Sequence, residues 1–92
     1  MIRSFRDKET EKIFRREFSR KLQSIARTAK RKLDQIHALA ALSDLGAIVG
    51  NHLEALAGDR LGQYSIRVND QWRICFRWVE PDALNVEIVD YH

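Results

Sequence analysis

The most regular pattern of apolar and polar positions lies in residues 63–78, QYSIRVNDQWRICFRW. Apolar side chains occupy every second position on both sides of a polar interruption at 69–71: Tyr64, Ile66, Val68, Trp72, Ile74, Phe76 and Trp78. A period of two is typical of strands that bury one face. The pattern predicts a β-hairpin whose intervening residues face away from the core, and these are Ser65, Arg67, Arg73, Cys75 and Arg77.

The length of the hairpin loop sets the register between the two strands. Residues that lie directly opposite each other in an antiparallel pair share a face of the sheet. A two-residue loop would place Ile66 opposite Arg73 and mix the two faces. A loop of three residues, 69–71, places Ile66 opposite Ile74 and keeps the apolar set together, so this register is predicted. It also places Arg67 opposite Arg73, with no acidic residue between them.

A third strand follows the turn EPDA, because Leu84, Val86 and Ile88 alternate with other residues toward the end of the sequence. If Trp78 pairs with Leu84, the alternation places Tyr91 on the same face as the arginines.

The first half of the chain has helical spacing. The segment IRSF, with Ile2 and Phe5, is a possible edge strand. Asp7 is the predicted N-cap of a first helix, because Glu9 and Glu11 follow near the positive end of its dipole. The predicted apolar stripe of this helix consists of Ile13, Phe14 and Phe18.

A second, longer helix is predicted over residues 21–42, because apolar residues recur there every three or four positions. Its core positions are Leu22, Ile25, Ala29, Leu33 and Ile36. Beyond it, Ser43 is a possible cap of a short helical turn, and Gly46 and Gly50 are possible stops.

Together these elements predict an α+β fold, with two N-terminal helices packed on a small, mainly antiparallel β-sheet. A length of 92 residues with 45% hydrophobic residues supports one domain, 1–92, around one core. The long helix should pack on the sheet face that carries Ile66, Ile74 and Phe76.

Charge is distributed unevenly along the chain. The net charge is +3, but residues 1–36 alone carry +7 and residues 37–92 carry −4. A basic half attracts polyanions without reading their sequence. The residues expected to form such a surface are Arg20, Lys21, Arg27, Lys30 and Arg31. The alternative is an ordinary solvated helix face.

Two arginines that face each other on a sheet are unfavourable unless negative charge comes from elsewhere. Phosphate is a good geometric match, because the planar guanidinium binds it through two parallel hydrogen bonds. Two alternatives to phosphate stay open: Glu87 reaches across the sheet, or the arginines extend into water.

Several classes of function lack their characteristic residues. There is no glycine-rich nucleotide loop. The three histidines are scattered and Cys75 is the only cysteine, so neither a metal site nor an internal disulfide is predicted, and no cofactor is expected. The first residues lack the apolar core of a secretory signal, and no apolar run is long enough to span a bilayer. These features lead to the expectation of a cytoplasmic protein without a membrane partner.

Several separated motifs now identify a resemblance. The segment GDRLGQYSIRVNDQWRICFRW and the closing IVDYH, together with the opening MIRSF, resemble the HigB-type toxins of the RelE/ParE superfamily. These are the plasmid-maintenance killer proteins, and the motifs fall in the order of that family over most of the chain.

The resemblance implies a RelE-like fold and a toxin of a type II toxin–antitoxin system. Such a toxin is a ribosome-dependent mRNA endonuclease that inhibits translation. The implied partners are a HigA-like helix-turn-helix antitoxin, the 70S ribosome and mRNA, with operator DNA bound only through the antitoxin complex. The implied reaction is attack of a 2′-hydroxyl of the mRNA on the adjacent phosphate, which needs a base, an acid and cations.

Site residues follow by matching motifs. Arg73, in Trp-Arg-Ile, matches the arginine that stabilises the phosphate. Tyr91 and His92 match the closing residues of the family and are expected to be catalytic, with Asp90 beside them. The residues expected to bind substrate are Arg60 of Gly-Asp-Arg, Arg67, His52 and Glu54.

The chain departs from the family pattern just before Gly-Asp-Arg. Characterised members have a histidine and a lysine there, whereas this chain has Glu54 and Ala57. The acid–base role then falls to His92, Tyr91, Glu54 or His52, and the sequence leaves this choice open. Two other functions stay open as well: a ParE-like toxin that inhibits DNA gyrase without cutting RNA, and a non-catalytic RNA-binding module.

Overall fold

The computed structural model of the protein describes residues 1–91. Over this range the chain forms three α-helices and a four-stranded antiparallel sheet, in agreement with the predicted α+β class. The helices are α1 (Lys8–Phe14), α2 (Ala26–Ala38) and α3 (Leu42–Ala47). The strands are β1 (Glu54–Ala55), β2 (Gln63–Arg67), β3 (Trp72–Val79) and β4 (Asp82–Asp90), in this order across the sheet. Single 3₁₀ turns occupy Gln23–Ile25 and Gly58–Arg60.

The β2–β3 hairpin has the predicted register. Ile66 lies opposite Ile74, and Arg67 lies opposite Arg73. The loop consists of residues 69–71, and the backbone N–H of Val68 donates to the carbonyl of Trp72 at 2.9 Å. Apolar alternation was therefore sufficient to choose between the two loop lengths.

The predicted pairing of Trp78 with Leu84 is wrong, because β4 contains a β-bulge. Trp78 pairs with Ala83, and Arg77 pairs with Leu84. The extra residue is accommodated near Asn85, which has a left-handed φ of +53°. Beyond the bulge the predicted register holds, so Tyr91 still continues the face that carries Arg73.

The free edge of β4 is covered by the N-terminal segment. Ile2 and Phe5 form isolated parallel bridges to β4 instead of a continuous edge strand. The N–H of Arg3 donates to the carbonyl of Ala83 at 2.8 Å, and other backbone bonds follow along residues 1–6. This cover protects an edge that would otherwise expose unpaired backbone groups.

Helix α1 begins as predicted but ends earlier. Asp7 is its N-cap, and a side-chain oxygen of Asp7 accepts the N–H of Thr10 at 3.1 Å. Arg16 adopts a left-handed φ of +63°, a conformation that ends helices. Phe18 therefore lies outside the helix and is 72% exposed, so its assignment to the apolar stripe is wrong.

The helix predicted over 21–42 is shorter, and α2 covers only Ala26–Ala38. At its start, the hydroxyl of Ser19 accepts the N–H of Leu22 at 3.2 Å, which stabilises a separate turn ahead of the 3₁₀ residues. At its end, Leu39 is extended, with ψ of 131°. The next helix, α3, has Ala41 as its N-cap, so Ser43 is not the cap, and Gly46 lies inside α3.

The core joins α2 to one face of the sheet. The predicted stripe of α2 and its preceding turn is buried in one cluster with the apolar residues of the hairpin. That cluster includes Leu22, Ile25, Ala29, Leu33, Ile36, Ile66, Ile74 and Phe76. Within residues 1–91, no helix is sufficiently long and apolar to cross a bilayer.

A candidate active site on the arginine face of the sheet

The sheet face opposite α2 carries Arg67, Arg73 and Arg77 and is called the arginine face below. The strand register arranges it in rows of directly opposite residues. One row contains Arg67, Arg73 and Val89, and the next contains Glu54, Ser65, Cys75 and Glu87. The site is thus assembled from all four strands.

Arg73 is held firmly by hydrogen bonds on one side of its guanidinium. Its Nε donates to the hydroxyl of Ser65 at 2.8 Å, and its Nη2 donates to the carbonyl of His52 at 2.6 Å. A longer bond of 3.4 Å joins Nη2 to the carbonyl of Ser65. The other terminal nitrogen, Nη1, has no hydrogen-bond partner among residues 1–91. Arg73 therefore presents an oriented and unsatisfied donor group on this face.

The ring of Tyr91 lies beside this guanidinium. The Cζ atom of Arg73 is 5.8 Å from the centroid of the ring, within the range of cation–π attraction. Tyr91 is substantially exposed, so its hydroxyl is accessible to a ligand that binds Arg73. His92, also predicted to be catalytic, lies outside the described residues.

The other two arginines of the predicted site have acidic partners. Arg67 forms an ion pair with Asp70, and Nη1 of Arg60 lies 3.5 Å from a carboxylate oxygen of Glu87. Glu87 also pairs with Arg6 at 3.4 Å. The alternative that Glu87 reaches across to the facing arginines is therefore wrong, because Glu87 pairs with Arg60 and Arg6, and among residues 1–91 it has no ion pair with Arg67 or Arg73. The expectation that no acid stands near the facing arginines is wrong, because the hairpin loop supplies Asp70.

The arginine face is not fully solvated. Ser65 and Cys75 point away from the core, as predicted, but both are completely buried. Burial raises the pKa of the Cys75 thiol, and although the positive charge of Arg60 acts in the opposite direction, the net shift is upward. Cys75 is therefore a protonated filler beneath the site at neutral pH, as its mid-strand position predicted.

His52 and Glu54 lie on the segment that precedes the Gly-Asp-Arg turn. His52 is not on an extended strand, because its φ is +45°, and it contacts Arg73 through its backbone carbonyl. Its exposed ring has no hydrogen-bond partner among the described residues. Glu54 is exposed on β1 and lies directly opposite Ser65, so it shares the face with Arg73.

Asp90 occupies the other side of the sheet. It pairs with Trp72, and the side-chain amide of Gln71 donates to its carboxylate at 3.2 Å. Strand alternation therefore places the Asp90 side chain away from Arg73, near the rim of the hairpin loop.

The predicted basic surface lies on α2 and the turn before it, apart from the arginine face. Of its five members, all are exposed except Lys30, which is half-buried. Lys30 pairs with Asp34 at 2.6 Å and lies 4.6 Å from the centroid of the Phe14 ring. A groove of about 600 Å³ runs beside these residues, and the exposed Phe18 contributes to its wall.

Three further residues shape the site: sequence reasoning missed Asp70, placed Ser65 on this face without a role, and named Glu87 only as a possible partner of the facing arginines. Each forms a contact with one of the site arginines. Alternation along the strands was the signal for Glu87 and Ser65, because it places both on the same face of the sheet as Arg73. Asp70 gave no such signal, since a loop side chain has no fixed direction. Within residues 1–91, no group of three or more side chains is arranged to bind a metal ion.

Comparison with known proteins agrees with this fold. Residues 3–92 match a family model described as the RelE-like toxin of the type II toxin–antitoxin system HigB. The chain is 40% identical over 87 residues to Toxin HigB-1 of Vibrio cholerae serotype O1, with 92% of each protein covered. It is 31% identical over 94 aligned positions to Endoribonuclease HigB of Proteus vulgaris, with all of both chains covered. The protein therefore belongs to the HigB family of RelE-like toxins of type II toxin–antitoxin systems.

Proposed function

We propose that this toxin is an endoribonuclease that cuts mRNA on the ribosome and thereby inhibits translation. One observation carries the proposal: Arg73 is oriented by Ser65 and His52 while Nη1 is left to bind an anion. The similarity to Endoribonuclease HigB of Proteus vulgaris supports the reaction class.

In the proposed reaction, a 2′-hydroxyl of the mRNA attacks the adjacent phosphorus atom, and the bond to the 5′-oxygen breaks. Negative charge increases on the non-bridging phosphate oxygens during this step. A preoriented guanidinium stabilises that charge without having to reorganise, which lowers the barrier. Tyr91 and His92 are proposed to exchange protons with the attacking and leaving oxygens, with Glu54 or His52 as alternatives for the base. Asp90, expected beside them, has its side chain on the other side of the sheet and is given no role in the reaction.

Arg67 and Arg60 are proposed to add positive charge once the substrate arrives. Their acidic partners are a fully exposed Asp70 and a Glu87 shared with Arg6. An exposed ion pair contributes roughly 0–1 kcal/mol, so Arg67 can exchange Asp70 for a phosphate at little cost. After this exchange the repulsion between the facing Arg67 and Arg73 is offset by the phosphate, so the pair is more stable with bound substrate than without it.

The basic surface formed by Arg20, Lys21, Arg27, Lys30 and Arg31 is proposed to dock on RNA of the 70S ribosome. Its position away from the arginine face leaves the active site free to reach mRNA. Membership of a type II family implies an antitoxin, which we propose to be a HigA-like helix-turn-helix protein. Operator DNA is then bound only through the antitoxin complex. The proposed place of action is the cytoplasm, where the ribosomes are.

Replacement of Arg73 tests the proposed activity. Arg73→Ala should lower mRNA cleavage on programmed ribosomes by about 10²–10³-fold, the usual cost of removing one preorganised donor to a developing anion. Primer extension measures the cleavage. The matched control is Arg77→Ala, on the same face, whose exposed side chain has no partner among the described residues.

The proposed role of Arg73 is refuted if the folded Arg73→Ala protein cuts mRNA at the wild-type rate, whereas a wild-type toxin that does not cut mRNA refutes the activity itself. If neither protein cuts mRNA but both arrest growth and inhibit gyrase in a supercoiling assay, the toxin acts by the ParE-like route. Deletion of His92 alone should also abolish cleavage, whereas a dispensable residue would leave the rate unchanged.

Charge reversal tests the ribosomal surface. Arg27→Glu with Arg31→Glu should weaken ribosome binding and reduce its salt dependence, by about one unit of log–log slope for each phosphate that the variant no longer binds. Lys8→Glu with Arg15→Glu makes the same change of charge on α1 and its C-terminal cap and should alter binding little. Unchanged binding by the α2 variant contradicts the assignment. Loss of antitoxin affinity instead would identify the surface as part of the toxin–antitoxin interface.

A further inference from the structure

Lys32 is a buried cation that the proposed reaction does not use. It lies on the inner side of α2 and is only 6% exposed. Its ammonium donates to the side-chain carbonyl of Asn51 at 2.5 Å. Within residues 1–91 it has no carboxylate at ion-pairing distance. Burial of a charge without an opposite charge is costly, so a lysine at this position calls for a role that offsets the cost.

The acceptor, Asn51, is fixed from several directions. Its side chain is fully buried, and its amide donates to the carbonyl of Leu45 at 3.0 Å. The same amide donates to the side chain of Gln35 at 3.1 Å. Asn51 thus joins α2 and α3 to the turn that leads into β1. Gly50, with φ of +92°, permits the chain to turn sharply just before it.

Two successive carbonyls of this turn contact the arginine pair. The carbonyl of Asn51 accepts the backbone N–H of Arg67 at 2.7 Å. The next carbonyl, that of His52, accepts the guanidinium of Arg73 at 2.6 Å. The orientation of Arg73 therefore depends on where residues 51 and 52 are held, and Lys32 contacts this segment from the side of the core.

We propose that Lys32 is a positioning residue for the active site: by binding Asn51 it holds the carbonyl of His52 that orients Arg73. This inference rests on the proposed role of Arg73 in binding the scissile phosphate. Lys32 itself does not touch the substrate. Its buried charge also adds to the positive potential beneath the arginines, because Arg67 and Arg31 both lie near enough to act on it electrostatically.

The energetics separate this role from a purely structural one. Burial lowers the pKa of Lys32, and the neighbouring Arg31 and Arg67 lower it further, so the folded protein holds this charge at a cost. Replacement by Met relieves that cost and leaves the side-chain oxygen of Asn51, Oδ1, without its donor, two effects of opposite sign. We therefore expect Lys32→Met to alter stability little while it impairs the chemistry.

The kinetic test is single-turnover cleavage of mRNA on programmed ribosomes over a range of toxin concentrations. Lys32→Met should lower the rate at saturating toxin roughly tenfold or more, because small misplacements of a catalytic group are costly. The toxin concentration at half-maximal rate should stay unchanged, since Lys32 is buried and cannot contact the ribosome. Lys8→Met, an exposed lysine on α1, is the control and should cleave at the wild-type rate.

A second measurement does not depend on the reaction. The Nε–H of Arg73 is hydrogen-bonded to a buried hydroxyl and should exchange slowly with solvent in NMR spectra. Lys32→Met should accelerate this exchange, and Arg77, which is exposed, provides a fast-exchanging reference. If Lys32→Met does not fold, Asn51→Ala cuts the same contact from the other side and should give the same result.

The outcomes distinguish the two proposals. Failure of the wild-type toxin to cut mRNA would overturn the proposed function, and wild-type cleavage by Arg73→Ala would overturn the role of Arg73 on which the inference rests. Loss of cleavage in Arg73→Ala, combined with a wild-type rate and slow Arg73 exchange in Lys32→Met, would overturn the positioning role alone. A rate that falls only in proportion to the unfolded fraction of Lys32→Met would also overturn it.

Discussion

The hydroxyl of Thr10 joins the start of α1 to the edge of β4, and its removal gives a quantitative test of the fold. Thr10 is fully buried. Its hydroxyl donates to the carboxylate of Asp7 at 2.7 Å and accepts the backbone N–H of Ile88 at 2.9 Å. The N-terminal segment pairs with β4 only as far as Val86, so Thr10 satisfies the next backbone donor along that edge.

Thr10→Val keeps the shape of the side chain and removes both hydrogen bonds. The N–H of Ile88 is then buried without a partner, which costs about 1–3 kcal/mol. The N-cap survives, because Asp7 accepts the backbone N–H of Thr10 through its other oxygen. The extra methyl of valine offsets part of the loss, so we expect destabilisation of about 2 kcal/mol. For a domain of this size, that lowers the midpoint of thermal unfolding by roughly 8–16 °C.

Urea denaturation followed by circular dichroism measures the free energy of unfolding. The control is Thr28→Val on α2, because Thr28 is half-exposed and makes no side-chain hydrogen bond among the described residues. The control should change stability by less than about 0.5 kcal/mol. An effect of Thr10→Val that is no larger than the control would refute the reasoning from the buried N–H of Ile88. A changed slope against urea would instead indicate an altered unfolded state.

Two predictions concern alkaline pH, each measured as the difference in unfolding free energy between wild type and variant. The pKa of Lys32 is lower in the folded protein, so between that pKa and about 10.4 the unfolded chain binds more protons than the folded one. In this pH window the stability of the wild type should therefore rise with pH relative to that of Lys32→Met. A difference in stability that does not change with pH would contradict the burial of the Lys32 charge. The pKa of Cys75 is higher in the folded protein, so the thiol loses its proton at a lower pH in the unfolded chain. Above about pH 8.5 the stability of the wild type should therefore fall relative to that of Cys75→Ala. Rapid reaction of the Cys75 thiol with Ellman's reagent in the folded protein would contradict its burial.

The parts of the fold that sequence predicted well are those fixed by a repeating pattern. Alternation in residues 63–78 determined the hairpin register, because a shift of one residue would have exposed every apolar side chain of the strand. The helical spacing from Leu22 to Ile36 identified the buried stripe of α2 for the same reason. In both cases many residues of the segment supported the same periodicity, so no single residue decided the prediction.

The errors fall where one residue overrides the pattern. Arg16 ends α1 by a left-handed conformation that non-glycine residues adopt only when tertiary structure requires it. Asn85 places a bulge in β4, and this reverses the side on which Leu84 lies. Ser19 separates the 3₁₀ turn from α2 through one hydrogen bond. None of these effects leaves a periodic signal in the sequence.

The acidic partners of the arginines explain how the site can exist without substrate. A facing pair of guanidiniums with no neutralising charge would destabilise the free toxin. Asp70 neutralises Arg67 from an exposed loop, whereas Arg73, which we propose to bind the scissile phosphate, contacts only neutral acceptors. Arg73, which must stabilise the developing negative charge, thus has no acidic partner that the phosphate would need to displace. The acid that must be displaced is Asp70, and its exposed carboxylate is easily released into water. This division favours anion binding at Arg73 over any arrangement in which the two arginines act as equals.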